Sequence, residues 1–573
     1  VEKRLMLGNE AIARGAWEAG VRVVSAYPGT PSTEITKYAS EYKEMYAEWA
    51  VNEKVSAEVA IGACYAGARA MCCMKHVGVN VAADPFFTAS YTGVNGGLVI
   101  IVADEPAMHS SQNEQDSRYY AKSAHIPMLE PSNAHECKEF VKIAFKMSEE
   151  YDTPVFVRLT TRTAHSQGFV NITDREELPL KPYVKDPKKY VMMPLMARGR
   201  HIEVEKREIR LEKDVENSPL NTVEFRDKKV GIVCSGAVYQ YVKEATNASI
   251  CKLANVYPIP VGFVKKFASE VSELIVCEEL EPFIEETLKV HGIKCHGKEI
   301  FGKQGELSVA SIRNKLYGIT VPNADLTLPQ RPPVMCAGCS HRSVFYILKK
   351  LKVVVSGDIG CYTMGALPPL EAMDLCLCMG GAITMAHGYD KARSPHTKNM
   401  VSVMGDSTFV HSGITGLINA VYNKGISTHL ILDNAITGMT GHQENPASGK
   451  TIIGEETHLL DLELLCKAIG VKRVQVVDAF DLKAIQTAVK EEMAKDEVSV
   501  IIIRRPCALM LKGAKPNGMK INEKCKNCKA CMAIGCPAIS NNNGKIKINS
   551  EQCTACKVCA GLCGFNAIEE IKS

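Results

Sequence analysis

The sequence predicts a multidomain α/β protein that ends in a small α+β domain. Two observations predict it. Strand-like apolar runs alternate with helix-like stretches in three successive regions, the pattern of parallel sheets covered by helices. Eight of the 23 cysteines then crowd into the last fifty residues. A chain of 573 residues is several times the usual domain size, so three to five domains are expected.

Residues 1–180 form the first region. Gly8–Gly20 reads as a helix and Val21–Ala26 as a β-branched strand. The strand ends in the turn Tyr27-Pro28-Gly29-Thr30-Pro31-Ser32. Ala57–Ala70 reads as a helix of small residues, and Gly97–Val102 and Pro154–Leu159 as buried strands. Residues 181–227 are rich in charge and proline and lack sustained periodicity, so they read as a connecting region. Residues 228–325 read as a small second α/β domain. It has strands at Val230–Ser235 and Val271–Cys277, and a helix opening at Gly236. Residues 326–510 hold the third α/β domain, entered by a proline-bearing linker at Leu326–Pro333. Its strands are Val353–Ser356, Met400–Met404, His429–Leu432 and Val498–Ile503. Residues 511–573 are the tail, with Leu511–Ile521 as linker and Asn541–Lys547 as a polar loop.

Composition excludes several classes. The hydrophobic fraction of 46% and charged fraction of 23% are those of an ordinary soluble globular protein. A net charge of +4 is too small to argue for nucleic acid or an anionic membrane surface. No run is long enough to span a membrane, and Leu98–Ala103 is only strand-sized. Val1-Glu2-Lys3-Arg4 is followed by no apolar segment, so no export signal is read and a cytoplasmic location is expected. Cysteine usage points to a reducing compartment and to metal ligation. Cys64, Cys234, Cys277 and Cys466 fall in apolar segments and read as plain buried thiols.

The tail cysteines read Cys525-x2-Cys528-x2-Cys531-x4-Cys536-Pro537 and Cys553-x2-Cys556-x2-Cys559-x3-Cys563-Gly564. Three thiolates on one tight loop wrap one face of a [4Fe–4S] cube. Where two such runs occur together, the fourth cysteine of each crosses to the other cluster. One cluster is therefore assigned to Cys525, Cys528, Cys531 and Cys563. The other is assigned to Cys536, Cys553, Cys556 and Cys559. Structural zinc takes a single set of four ligands, and a disulfide framework suits a secreted chain. The cluster reading is preferred to both.

In the third region a buried strand runs straight into Gly405-Asp406-Ser407. After a helix at Ser412–Tyr422, the strand His429–Leu432 runs into Asp433-Asn434. Ligands in open α/β sheets sit beyond the carboxyl ends of strands. Asp406 and Asn434 are hard oxygen donors there, suited to Mg²⁺ that also holds phosphate oxygens, with the Ile436 carbonyl as a third. Gly405 would let the backbone approach a diphosphate.

Gly-Asp-Ser followed after a βα unit by Asn resembles the thiamine diphosphate signature. The sequence departs from the usual form at Ser407, where a second Gly is expected, and at Asp433, where a first Asn is. Both metal-ligand positions are kept. The resemblance implies an acid against the aminopyrimidine ring, carried at the start of a small-residue helix. Glu53, nine residues before Gly62, matches that place, and Gly62–Ala70 resembles the rest of the helix. Glu58, five residues on, reads as a solvated helix-face glutamate. The turn Tyr27–Ser32 resembles the Tyr-Pro-x-Thr-Pro-Ser loop of 2-oxoacid:ferredoxin oxidoreductases, which implies that Thr30 contacts the substrate carboxylate.

Over nearly its whole length the chain resembles the large (alpha) subunit of the indolepyruvate:ferredoxin oxidoreductases, a thiamine diphosphate-dependent family. Cys336–Arg342, Gly357–Cys361, Gly365–Pro369, Cys378–Ala382 and Met439–Gln443 carry the specific match. The resemblance makes residues 1–180 a pyrimidine-binding domain and residues 326–510 a diphosphate- and Mg²⁺-binding domain. It makes the tail a two-cluster ferredoxin-like domain. It implies oxidative decarboxylation of an aryl 2-oxo acid with coenzyme A and ferredoxin, and a smaller beta subunit in an α2β2 assembly. Two alternatives are a non-oxidative thiamine-dependent decarboxylase and an electron-transfer subunit with no catalytic site of its own. The tail argues against the first, and Glu53, Asp406 and Asn434 against the second. The resemblance also raises a third [4Fe–4S] cluster on Cys336, Cys339, Cys361 and Cys507. That reading stands beside one in which these are structural thiols, because Ala337-Gly338 replaces Pro-Gly and no proline follows Cys507.

Overall fold

A computed structural model describes residues 2–320, 332–393, 399–511 and 517–571. Most of the linker read at Leu326–Pro333, and residues 512–516 of the second linker, lie outside them. The chain divides into two compact units, Val1–Leu326 and Thr327–Ser573. The α/β class predicted for the chain is the one observed.

The first unit is built on a seven-stranded sheet. Its order is Asn255–Tyr257, Met128–Leu129, Val155–Thr160, Leu98–Asp104, Ala70–Lys75, Val23–Ala26 and Tyr46–Trp49. All neighbours are parallel except the first pair. The central strands read as continuous apolar runs because helices cover both faces, as parallel sheets require. Ile12, Val141 and Phe145 pack on one face, and Ala57, Val79 and Phe86 on the other. The predicted Ala57–Ala70 helix runs too far, and an unpredicted strand, Ala70–Lys75, begins at its last residue. The real helix is Glu53–Tyr65, and Gly67, at φ +93°, takes the chain out of it.

The second sheet of this unit runs Glu273–Cys277, Asp227–Ser235, Ala248–Leu253 and Thr222–Glu224. Its domain also contributes Asn255–Tyr257 to the large sheet, so the two are joined by backbone hydrogen bonds. A buried ion pair and a buried hydrogen bond cross the same line. Arg118 pairs with Glu278, and Arg158 pairs with Glu130, which accepts from Ser235 at 3.0 Å. The region read as connecting contains a long helix, Pro194–Val215. It buries only Val204, Arg207, Leu211 and Val215, too narrow an apolar stripe to give a strong periodic signal.

The second unit has a five-stranded parallel sheet in the order Val354–Ser356, Met400–Gly405, Thr428–Asp433, Ser499–Arg504 and Arg473–Asp478. The last strand was not predicted. Its side chains are mostly half-exposed, as on a sheet edge. The tail packs on this domain through Ala337, Tyr346, Phe480 and Leu482. Met519–Ile521 pairs with Ile568–Glu570, and Ile539–Asn542 pairs with Lys545–Ile548, both antiparallel. The polar loop expected at Asn541–Lys547 is therefore mostly hairpin. Asn543-Gly544 makes its two-residue turn, both at positive φ, the geometry that matches strand twist.

Candidate active site and cysteine sets

In the first unit the strands Val23–Ala26, Ala70–Lys75 and Leu98–Asp104 run parallel, so the residues that follow them collect on one edge. Glu53 is the first residue of its helix and 5% exposed. Asn52 caps the helix by accepting from the Val55 N–H at 2.9 Å. Gly78 lies directly against Glu53: a Cβ there would stand 2.7 Å from Glu53 Cγ. Glu58 is exposed and pairs with Lys54 across one helical turn.

The turn Tyr27–Ser32 closes on itself through the Ser32 hydroxyl, which donates to the Gly29 carbonyl at 2.8 Å. Gly29 packs on the Lys75 stem, with Thr30 half-buried beside it. Lys75 had not been singled out by its sequence. Burial pulls its pKa down, opposed by the charges of Glu105 and Glu53. Its Nζ donates to the Ser110 carbonyl at 3.3 Å. Through Lys75 the structure brings the Thr30 turn and Glu53 to the same edge.

In the second unit Gly405 aligns with Leu432, so Asp406 and Asn434 leave adjacent strand ends. Asp406 is 2% exposed. Its Oδ1 accepts from the Ser407 N–H at 2.7 Å, while Oδ2 has no hydrogen-bond partner. Burial, with the Asp433 charge beside it, pushes its carboxyl up to about 7, opposed chiefly by the Ser407 N–H. Asn434 Oδ1 accepts from the Ile436 N–H at 3.3 Å, and its Nδ2 lies 3.5 Å from His341 Nε2. The Ser407 hydroxyl accepts from Thr437 at 2.9 Å, and Asp433 accepts from Arg504 at 2.6 Å. Asp406, Ser407, Asn434 and Ile436 thus form one cluster.

Gly405 has a packing reason for its small size that the sequence did not show. A Cβ there would meet the Tyr362 ring at 2.8 Å. Sequence reasoning also passed over Asp358 and His341. Asp358 is fully buried and accepts from the N–H groups of Ile359, Gly380 and Ala382 at 2.7–2.9 Å, fixing the loop Cys378–Ala382 beside it. Burial drives His341 down to about 4, so its ring is neutral. Both lie within segments that carried the resemblance; their roles are visible only in tertiary contacts.

Twelve of the cysteines fall into three sets. Cys525, Cys528, Cys531 and Cys563 line one cavity with Ile521, Ile546 and Ile568. Cys536, Cys553, Cys556 and Cys559 line a second, and Cys339 and Arg342 complete its wall. The fourth cysteine of each run sits with the other run. Cys336, Cys339, Cys361 and Cys507 form the third set: Cys339 neighbours Cys336 and Cys361, and Cys361 neighbours Cys507. The Cys507 N–H donates to the Asn434 carbonyl at 3.1 Å, so this set starts at the Asp406 cluster. Among the described residues no three His, Cys, Asp or Glu side chains converge as for a single ion.

Two family models match the chain. "Pyruvate flavodoxin/ferredoxin oxidoreductase, thiamine diP-bdg" covers residues 14–222, and "Thiamine pyrophosphate enzyme, C-terminal TPP binding domain" covers residues 358–503. Full-length relatives match as well. Indolepyruvate oxidoreductase subunit IorA of Pyrococcus abyssi is 39% identical over 100% of this chain and 97% of its own. The Archaeoglobus fulgidus subunit is 38% identical over 100% and 98%. The chain belongs to the indolepyruvate oxidoreductase IorA family.

An IorA-family chain is a thiamine diphosphate-dependent oxidoreductase subunit, and the residues present fit that cofactor. The unpartnered, buried Asp406 Oδ2 beside Asn434 suits a hard cation. Cysteines spread around a void suit a cluster better than an ion. Among the described residues no helix is long and apolar enough to cross a membrane.

Proposed function

We propose that the chain is the catalytic subunit for ferredoxin-dependent oxidative decarboxylation of aryl 2-oxo acids with coenzyme A. One 2-oxo acid, one CoA thiol and two oxidised ferredoxins give acyl-CoA, CO2, a proton and two singly reduced ferredoxins. One observation carries the reading. The third cysteine set begins at the Asn434 loop, and Cys339 of that set also lines the cavity of the second, so candidate one-electron carriers continue from the Asp406 cluster into the tail.

Asp406, Asn434 and the Ile436 carbonyl would hold Mg²⁺ and through it the diphosphate. Bound thiamine diphosphate supplies the electron sink that lets the carboxylate leave as CO2. Glu53, buried at the start of its helix, would face the aminopyrimidine ring as its acid–base partner. Thr30 donates to the substrate carboxylate, and the neighbouring Lys75 adds a buried positive charge to the same edge. The three cysteine sets would hold [4Fe–4S] clusters, the two in the tail with crossed ligation. Such clusters would supply the one-electron carriers that a two-electron oxidation with ferredoxin needs. A smaller beta subunit completes the enzyme as α2β2, and acyl transfer to coenzyme A takes place in that assembly, in the cytoplasm.

A screen of 2-oxo acids on the complete enzyme, read by ferredoxin or viologen reduction, tests the proposal. Indolepyruvate and related aryl acids should give CoA-dependent reduction. Aldehyde release with no reduction would replace the reading by a simple decarboxylase. A purified chain that binds no thiamine diphosphate would replace it by an electron-transfer subunit.

A further inference from the structure

Arg342 is an unusual cation. It is 5% exposed, and among the described residues no carboxylate pairs with it. Its Nε donates to the Cys336 carbonyl at 3.0 Å. Its Nη1 donates to the Ile534 carbonyl at 3.3 Å and to the Gly535 carbonyl, while Nη2 has no partner. The first contact lies in the Cys336–Cys339 loop. The others lie in the tail, immediately before Cys536.

The loops that Arg342 joins are pressed together. Gly338, at φ +71°, sits on Thr554, between Cys553 and Cys556; a Cβ there would come within 2.1 Å of the Thr554 hydroxyl. A Cβ on Gly535 would meet Pro369 at 2.9 Å and Arg342 Nη1 at 3.2 Å. The electrostatic neighbours of the guanidinium are Cys536, Cys339, Cys336 and Cys556, two from each set, and it lines the cavity of the second set. A permanently charged group buried without an acid is costly unless an anion faces it. Thiolate-ligated clusters on either side are such anions, and each gains one negative charge on reduction.

We propose that Arg342 is a positioning residue shared by the Cys336–Cys339 loop and the second tail set, whose fixed positive charge favours the reduced state of the clusters they hold. It would ease the electron's passage from the catalytic domain into the tail, because net charge and hydrogen bonding set cluster potentials. The inference rests on the cluster assignment proposed above.

The test compares wild type, Arg342→Lys, Arg342→Gln and Arg342→Met in the full chain with its beta subunit, by iron content and by EPR-monitored redox titration. In a loaded neutral variant the equilibrium constant for reduction of at least one cluster should fall tenfold or more. That is a lowering of 59 mV or more for one electron. Arg342→Lys should fall less. Loss of iron in both neutral variants with full loading of Arg342→Lys would show the same charge requirement at assembly. Unchanged potentials in any loaded neutral variant, or loss of iron in all three variants, would overturn the proposal. A wild-type chain without iron would overturn the cluster assignment itself, and this inference with it.

Discussion

Gly78→Ala separates the placement of Glu53 from the folding of its surroundings. Gly78 is buried in the short helix His76–Val81. A Cβ there would stand 2.7 Å from Glu53 Cγ, 2.9 Å from Glu53 Oε1 and 2.9 Å from Met74 Cβ. Carbon atoms pack best at about 3.5–4.0 Å, so the Glu53 side chain must retreat by roughly 0.8 Å. A shift on the order of 1 Å at a reacting group can cost about 10²-fold. The expected loss in kcat/KM is therefore roughly 10²-fold, or about 2.7 kcal/mol of transition-state stabilisation. Stability should move less. Overpacking costs about 1–3 kcal/mol, and replacing Gly by Ala inside a helix returns about 0.8–1.0 kcal/mol. The assays are viologen-linked turnover, bound thiamine diphosphate, its C2 proton exchange, and thermal melting. Slow turnover and slow exchange, with normal thiamine content and a melting temperature within a few degrees, are expected. Glu53→Gln should show the same signature more strongly, and Glu58→Gln should not show it. Full turnover and exchange in Gly78→Ala would refute the placement of Glu53 at the reacting centre.

Asp406→Ala should abolish retention of thiamine diphosphate while leaving iron content unchanged; full thiamine content would remove Asp406 from the site. Cys536→Ser should erase the EPR signal of the cluster held with Cys553, Cys556 and Cys559, and spare the other tail cluster; the reverse would uncross the ligation. The loaded chain should contain about twelve iron atoms, falling to about eight in Cys361→Ser, by four irons per cluster; about eight in wild type would leave the third cysteine set structural. Glu18 offers a stability readout. Burial raises its carboxyl, but Thr173, Lys138 and Lys142 together bring it down from 4.5 to about 2. A depressed folded pKa contributes stability that is present above the unfolded value and lost as pH falls from 4.5 toward 2. Glu18→Gln should therefore cost the first unit up to about 3 kcal/mol at neutral pH and flatten its acid limb, measured by urea denaturation against pH. An unchanged limb would show that these partners do not set its charge.

What was legible in the sequence was what local order determines. A buried strand running into Gly405-Asp406 marks a strand end without any knowledge of neighbours, and two cysteines three residues apart must share a loop. What was missed depends on partners distant in sequence. Lys75 ends a strand that the sequence reading did not register after its small-residue helix, and only the chain reversal at Gly67 separates the two. Pro194–Val215 shows a weak signal because just four of its positions are buried. Asp358 and Arg342 matter through what they hold, backbone N–H groups in one case and two cysteine loops in the other, and no spacing rule records that. Gly405 was noticed for its type, but nothing local says that the Tyr362 ring lies against it.

The strand Asn255–Tyr257 has consequences for how the first unit can be cut, moved or unfolded. It hangs the second sheet's domain onto Met128–Leu129 by main-chain bonds, with the Arg118–Glu278 pair and the Ser235–Glu130 hydrogen bond closing the seam. A truncation near residue 227 would leave Met128–Leu129 as a bare apolar edge with Arg118 deprived of Glu278, an invitation to intermolecular pairing. The seam leaves no swivel between these two parts. They should melt in one transition, and hydrogen exchange in Leu98–Asp104 and in Asp227–Ser235 should report the same opening free energy. Evolution can then lengthen or shorten the loops that fringe this body, but it cannot trade its halves independently.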